Sequence, residues 1–311
     1  MHASLRIRQL AHADLPFADR VRDLAGWNQT RDDWERFLAM EPDGCFLAEW
    51  EGEQAGTATT TRYGTTLAWV GMVLVHPSYR RRGIGSALLE QCLDHLWRCG
   101  VRCVKLDATP LGQTMYDRLG FQTEWTFARW SGRATGLRAN PSGVGLRPWC
   151  STDLSESEVL DAAVFGASRR RLLGALAAQS SAALVLESPA GSTAGFGLLR
   201  AGSRALYLGP VVATSEQAGL GLVEALLARS EGQTVFWDIP DPNTAAVSWA
   251  ERHGFTVQRR LTRMHLGNSL APCDPRRQFA LSGPETGCGR NRVPIRPKRR
   301  GAFAEECSRP G

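Results

Sequence analysis

From Leu5 onward the apolar positions switch back and forth between a period of two and a helical period, as alternating strands and helices do. Leu5–Leu10 alternates apolar and polar residues, which predicts a half-buried strand. Asp14 then stands as an N-cap before an apolar-periodic helix running to Ala25. A second helix is predicted over Asp32–Met40, closed by the turn cluster Glu41-Pro42-Asp43-Gly44. Phe46–Trp50 and Gln54–Thr61 flank Glu51-Gly52-Glu53 as a hairpin. Trp69–Val75 is almost continuously apolar, the pattern of a strand buried on both faces. Ile84, Leu88, Leu89, Leu93 and Leu96 share one face of a helix over Ile84–Trp97. A strand at Cys103–Asp107, a short helix at Gly112–Leu119 and a strand from Phe121 follow.

Ser131–Gly145 is rich in Gly, Ser, Arg, Asn and Pro and reads as a linker. Beyond it the order of elements repeats. Helices are predicted at Ser155–Phe165 and Arg169–Ala178, then strands at Ala183–Glu187, Gly195–Arg200 and Ala205–Val212. A helix at Gln217–Arg229, a strand at Thr234–Ile239, a helix at Thr244–Arg252 and a strand from Phe255 complete the second series. Leu119-Gly120-Phe121 and His253-Gly254-Phe255 each end a short helix and open a strand, with their glycines 254 − 120 = 134 residues apart. Two copies of one mixed α/β unit are expected, as residues 1–130 and 146–267, joined by 131–145 and followed by a tail over 268–311.

Charge bears on what the chain binds. Of the formal +6, the segment 268–311 carries +5, from nine basic and four acidic residues, so the body is nearly neutral. The run Arg296-Pro297-Lys298-Arg299-Arg300 is short, and a few phosphate contacts give only weak, salt-sensitive affinity. A solvated, disordered tail is the expectation, with Gln278–Ser282 as a segment able to add a strand, and nucleic acid is not an expected partner. No run approaches the length of a membrane span, so no membrane partner is expected. The eight cysteines form no CxxC pair and no His stands at metal-ligand spacing, so neither a disulfide scaffold nor a metal is expected. With no apolar leader at the N-terminus, these features predict a cytoplasmic protein.

The sharpest local signal is Val73-Leu74-Val75-His76-Pro77-Ser78-Tyr79-Arg80-Arg81-Arg82-Gly83-Ile84-Gly85-Ser86. A buried strand runs through a glycine-bearing loop into a helix start. Helix starts hold unpaired N–H groups and partial positive charge, glycines admit an anion to the backbone, and the arginines add fixed charge. A pyrophosphate is the natural guest. A bare Gly-x-Gly before a helix is also a common tight turn, and no third glycine continues it toward a dinucleotide fingerprint.

This segment resembles the acetyl-CoA loop of the GNAT superfamily of N-acetyltransferases, whose Arg/Gln-x-x-Gly-x-Gly/Ala pattern is filled by Arg80, Gly83 and Gly85. Downstream, Asp107 to Phe121 resembles the second cofactor motif of that superfamily, with Tyr116 at the position of a tyrosine near the cofactor sulfur. Ala25-Gly26-Trp27-Asn28, Ala68-Trp69-Val70-Gly71-Met72 and Thr262-Arg263-Met264-His265-Leu266-Gly267 resemble segments of a tandem bacterial subgroup whose second domain is of the YitH type. The resemblance implies two mixed, mostly antiparallel sheets with splayed central strands flanked by helices. It implies acetyl-CoA as co-substrate, held by Val73, Leu74, Val75, Arg80–Ser86 and Thr109, the last standing where many members have Asn. It implies direct attack by an amine, small or protein-borne, with Tyr116 as acid toward the departing thiolate. A packed core aromatic is the competing reading of Tyr116. Trp27, Asn28, Glu49 and Asp107 are candidates for the substrate side, and Glu41, Glu49 and Asp107 for the base.

Aligning the two Gly-Phe anchors sets Ala250 opposite Tyr116 and Asn243 opposite Thr109. The second loop, Val212 to Leu222, has no arginine and places Glu216 or Gln217 opposite Arg80, so the second copy is expected to have lost its chemistry. A non-catalytic acyl-CoA sensor is the rival to the enzyme, and a homodimer is an open expectation.

Overall fold

The computed structural model describes residues 4–133, 145–268 and 274–287. The middle of the expected linker and the run Arg296–Arg300 lie outside the described residues. The first half supplies β1 (Leu5–Gln9), α1 (Leu15–Leu24), α2 (Arg31–Met40), β2 (Cys45–Trp50), β3 (Glu53–Tyr63), β4 (Leu67–Val75), α3 (Ile84–Arg98), β5 (Cys103–Ala108), α4 (Pro110–Arg118) and β6 (Gln122–Gly132). The second supplies β7 (Leu146–Pro148), α5 (Leu154–Phe165), α6 (Arg170–Ala178), β8 (Ser180–Glu187), β9 (Thr193–Arg200), β10 (Leu206–Ala213), α7 (Glu216–Leu227), β11 (Val235–Pro240), α8 (Thr244–Arg252) and β12 (Thr256–Gly267). A short β13 (Gln278–Ala280) follows. Periodicity places most of these to within a few residues, while β7 is too short to carry a pattern.

The internal repeat is written in side chains as well as in element order. Asp14 accepts from the Ala11 N–H at 2.9 Å and from Arg8 at 2.7 and 2.8 Å, and Arg8 also donates to Glu49 at 2.7 Å. In the second half Asp153 accepts from the Cys150 N–H and from Arg147, which donates to Glu187 at 2.7 Å. Each set fastens the first strand of a half to the start of its first helix. Glu49 is therefore the counterpart of Glu187 in a structural corner, not a group of the substrate side.

All the strands form one sheet, in the order β1-β2-β3-β4-β5-β12-β6-β11-β10-β9-β8-β7, with β13 attached to β10. Neighbours are antiparallel except β4–β5 and β10–β11. The order crosses the expected division at 130: β12, encoded in the second half, pairs with β5 of the first, and β6, encoded in the first, pairs with β11 of the second. The two exchanged strands pair with each other from Thr256↔Ser131 to His265↔Gln122. Phe127 and Leu261 face one another in that ladder and are themselves one repeat apart, 261 − 127 = 134. A pseudo-twofold axis passes between them, as in an isologous dimer interface.

Buried ion pairs lock the exchange. Arg263 on β12 donates twice to Asp107 on β5, each at 2.7 Å, and its guanidinium lies 4.4 and 4.5 Å from the rings of Trp125 and Trp69. Its counterpart Arg129 on β6 donates to Asp238 on β11 at 2.7 and 2.6 Å, and Tyr207 donates to the same carboxylate at 2.8 Å. Flat guanidinium forks suit carboxylates and aromatic faces together, which a lysine would not. Helices cover both faces of the sheet: α3 packs on β2–β4, α1 and α2 lie across β3 and β4, and α7 packs on β8–β10.

Breaking one pair leaves a charge buried alone, so Arg263→Ala is expected to cost about 3–5 kcal/mol. Arg263→Met combined with Asp107→Leu removes both charges and is expected to recover most of that loss. Denaturant titration checks both, and the interlocked strands predict that the two halves unfold in one transition.

Candidate active site

The site begins with a defect in β4. Between Thr57 and Thr59 of β3 the partner changes from Leu74 to Gly71, so β4 carries an extra residue there. Met72 adopts a left-handed φ of +51°, and the Thr57 hydroxyl donates to its carbonyl at 3.0 Å. Such a bulge bends and twists its strand. β4 accordingly pairs with β5 only at Ala68 and Trp69, and the two diverge beyond. The wedge between them is a cleft of about 1040 Å³ lined by Val70–Val75 on one side and by Leu106, Asp107 and Thr109 on the other. Its size reaches the top of the range for cofactor sites, about 300–1,000 Å³.

At one end the chain leaves β4 for α3. Arg81 and Gly83 both take positive φ, +62° and +78°, which turns the loop so that Gly83 caps the helix without a capping side chain. The first-turn N–H groups of a helix have no carbonyl within it. Here they open on the cleft beside Arg80 and Arg81, and Gly83, Ile84, Gly85 and Ser86 line it too. Arg80 also donates to the Val75 carbonyl at 3.2 Å, which fixes the loop to the strand. Arg82 does not line the cleft: its guanidinium lies 5.2 Å from the Trp50 ring and 5.7 Å from Tyr79.

Tyr116 projects from α4 into the middle of the cleft, packed edge-on against Phe121. No described residue hydrogen-bonds its hydroxyl. Burial, with Cys92 and Asp107 nearby, pushes its pKa up to about 12, so it keeps its proton at neutral pH. Asp107 borders the same space, but its carboxylate is fully covered and committed to Arg263. Burial lifts Asp107 to about 6 against the pull of Arg263, which leaves it ionised at neutral pH.

The far end of the cleft is built from parts distant in sequence. Trp27, the substrate-side candidate, lines it with Leu24 and Ala25. β12 continues past the end of β5 and contributes Arg259 and Leu261. Pro284 and Glu285 close it from beneath β4. Asn28 is not there. It is buried against the other half, donating to the Ala205 carbonyl at 3.0 Å and accepting from the N–H groups of Arg204 and Ala205.

Glu285 and Arg259 escaped the sequence reading. Glu285 stands within the expected tail, but residues 274–287 fold onto the body. Trp69 donates to the Pro284 carbonyl at 2.9 Å, Tyr63 to that of Thr286 at 2.5 Å, Arg200 to that of Ser282 at 2.6 Å and Arg169 to that of Gly287 at 3.0 Å. Gly71 makes room for it, since a Cβ there would sit 2.9 Å from the Glu285 backbone. Four aromatic or arginine donors aimed at one backbone segment explain why so polar a stretch is held.

The second half has the same splay, differently used. β10 is bulged between Leu208 and Val211 and pairs with β11 only as far as Leu208. β13 lies in the opening, pairing Ala280 with Val211 and Gln278 with Val212, the counterparts of Val73 and Leu74. Trp237 donates to the Phe279 carbonyl at 2.7 Å, and Asn243 to the Arg276 and Gln278 carbonyls at 2.9 and 3.0 Å. The Phe279 ring fills the space where a Cβ on Gly219 would stand. The start of α7 is capped by the Ser215 hydroxyl, which accepts from the Ala218 N–H, and Ala250 replaces the tyrosine within the core.

Residues 6–121 match the acetyltransferase (GNAT) family, and residues 158–280 match an acetyltransferase (GNAT) domain. Among curated relatives, an acetyltransferase of Sodalis glossinidius is 30% identical over 131 residues, covering 39% of this chain and 89% of its own. The uncharacterized N-acetyltransferase YitH of Bacillus subtilis is 25% identical over 179 residues, covering 58% of this chain but only 62% of that relative. The crystal structure of a putative acetyltransferase from Pyrococcus horikoshii has the same fold, with a TM-score of 0.77 at 24% identity, over 91% of this chain and 96% of that one. With a splayed strand pair, a basic loop and a helix start in one half and a second such splay in the other, the chain belongs to the GNAT acetyltransferases and carries two of their domains in tandem.

Proposed function

We propose that the protein transfers an acetyl group from acetyl-CoA to a primary amine in the cleft of its first half. The observation that carries this reading is a single continuous cleft that joins an anion-binding loop to an unpartnered tyrosine hydroxyl. When bound, acetyl-CoA supplies the thioester. Arg80, Arg81 and the first-turn N–H groups of α3 hold its pyrophosphate, while the unpaired edge of β4 at Val73–Val75 receives the pantetheine arm as a strand would. A β4 N–H polarises the thioester carbonyl. Tyr116, kept protonated by burial, donates to the departing sulfur.

The second half is read as a degenerate domain, with its cofactor groove filled by β13. It serves the first half through β12, Asn28's partners at Arg204–Ala205 and the segment that follows β13. On this reading the protein works as one active site built from two domains.

An acetyl-CoA consumption screen over an amine library tests the activity. Tyr116→Phe is expected to lower kcat by about 100-fold or more, the scale of one general acid, with little change in acetyl-CoA affinity. Equal kcat in the variant removes the tyrosine's role, and binding without transfer to any amine identifies a sensor instead. Arg80→Glu puts a carboxylate against the pyrophosphate and is expected to raise the acetyl-CoA Kd about tenfold or more, as calorimetry would show.

A further inference from the structure

Resting on the acetyltransferase reading, we propose that the acceptor is an amino acid or similar aminocarboxylate with an apolar body, its carboxylate held by Arg259 and its ammonium proton taken by Glu285.

The far end of the cleft combines apolar walls with two charged groups. Leu24, Ala25, Trp27, Leu261 and Pro284 make its walls apolar, and Arg259 and Glu285 are the charged groups set among them. Other arginines of this region are spoken for: Arg263 by Asp107, Arg129 by Asp238 and Arg200 by the carbonyls of Gly209 and Ser282. Arg259 has no carboxylate partner among the described residues. Its Nε is buried without a hydrogen-bond partner, and its guanidinium lies 5.8 Å from the Trp27 ring. A guanidinium whose donors are left without an acceptor beside an apolar wall is a receptor for a carboxylate. Burial, with Arg129 beside it, lowers its pKa to about 10, so it is charged at neutral pH.

Glu285 is built for a different task. It is 4% exposed, lies against Gly71 where β4 begins to splay, and accepts from the Gln29 side chain at 2.7 Å. That places it beside β4, the strand whose edge would hold the thioester. Burial and the neighbouring Asp33 hold its carboxyl above the usual range, against Arg200 and Arg129. Around it stand Asp33 on α2, Tyr63 on β3, Arg129 on β6, Arg200 on β9, Tyr207 on β10 and Arg259 on β12. A carboxylate shifted upward is a better base near neutral pH. β13 fixes its position, because the same segment that fills the second groove runs on for only a few residues to deliver Glu285 to the first.

Glu285 takes one proton from the ammonium, and the freed nitrogen forms a bond to the thioester carbonyl carbon. The C–S bond breaks, Tyr116 gives its proton to the sulfur, and the second nitrogen proton returns to Tyr116. The proton on Glu285 leaves to solvent, giving amide, thiol and one proton.

The experiment compares leucine with 3-methylbutylamine and phenylalanine with 2-phenylethylamine as acceptors for the full chain, with acetyl-CoA affinity measured alongside. The wild type is expected to favour the carboxylate-bearing member of each pair by about 10- to 100-fold in kcat/KM, the scale of one charge-assisted contact. Arg259→Met is expected to collapse that ratio to within about threefold while acetyl-CoA still binds. Glu285→Gln, which keeps the shape and the Gln29 contact, is expected to lower kcat about 100-fold or more and to abolish the acidic limb of its pH profile. A wild-type preference for the plain amines, an unchanged ratio in Arg259→Met, or an unchanged pH profile in Glu285→Gln overturns the proposal while leaving acetyl transfer standing. Acetyl-CoA binding with no transfer to any amine overturns both.

Discussion

Each half of this chain lacks the strand that would finish its own sheet beside the splay, and receives it from the other half. β12 crosses to β5 and β6 crosses to β11, and the two meet along the pseudo-twofold axis at Phe127 and Leu261. The exchange is held by Arg263 on Asp107 and Arg129 on Asp238, bidentate pairs buried among aromatic rings. Neither guanidinium has water to fall back on, so register is fixed wherever those forks meet their carboxylates. The rest of the site depends on it: only because β12 runs past the end of β5 do Arg259 and Leu261 reach a cleft that belongs to the first half.

The two halves start from one design and diverge at the splay. In both, a bulge bends the fourth strand away from the fifth. In the first half no described strand fills the opening, and the loop after it carries Arg80, Arg81 and an uncapped helix start. In the second, β13 takes the strand edge, Asn243 and Trp237 hold it, and Ser215 occupies the helix start. Loss of the tyrosine at Ala250 follows the same direction. A groove filled by β13 has become a mooring for residues 274–287, and the mooring sets Glu285 against β4.

Much of this was legible in the sequence, and the remainder was not, for definite reasons. The glycines at 120 and 254 announced the repeat, and Arg80, Gly83, Gly85 and Tyr116, singled out by their spacing, all line one cleft. Strand exchange left no such mark, since β6 and β12 carry interchangeable patterns and nothing local names a strand's partner. Glu49 stood among the candidates because its partner, Arg8, lies on a neighbouring strand rather than nearby in sequence. Asn28 looked like a site residue beside Trp27, yet it clasps Ala205. Gln278–Ser282 was expected to be able to add a strand, as β13 does, but the rest of 274–287 read as tail because its anchors (Tyr63, Trp69, Arg169 and Arg200) are spread over the whole chain.

The central claim is that one half holds the cofactor and the other has closed its groove with β13. Isothermal titration of the full chain with acetyl-CoA measures this directly. The account predicts one binding event per chain, lost or strongly weakened in Arg80→Glu and retained in Tyr116→Phe. Two acetyl-CoA molecules per chain, or one that persists undiminished in Arg80→Glu, would contradict it.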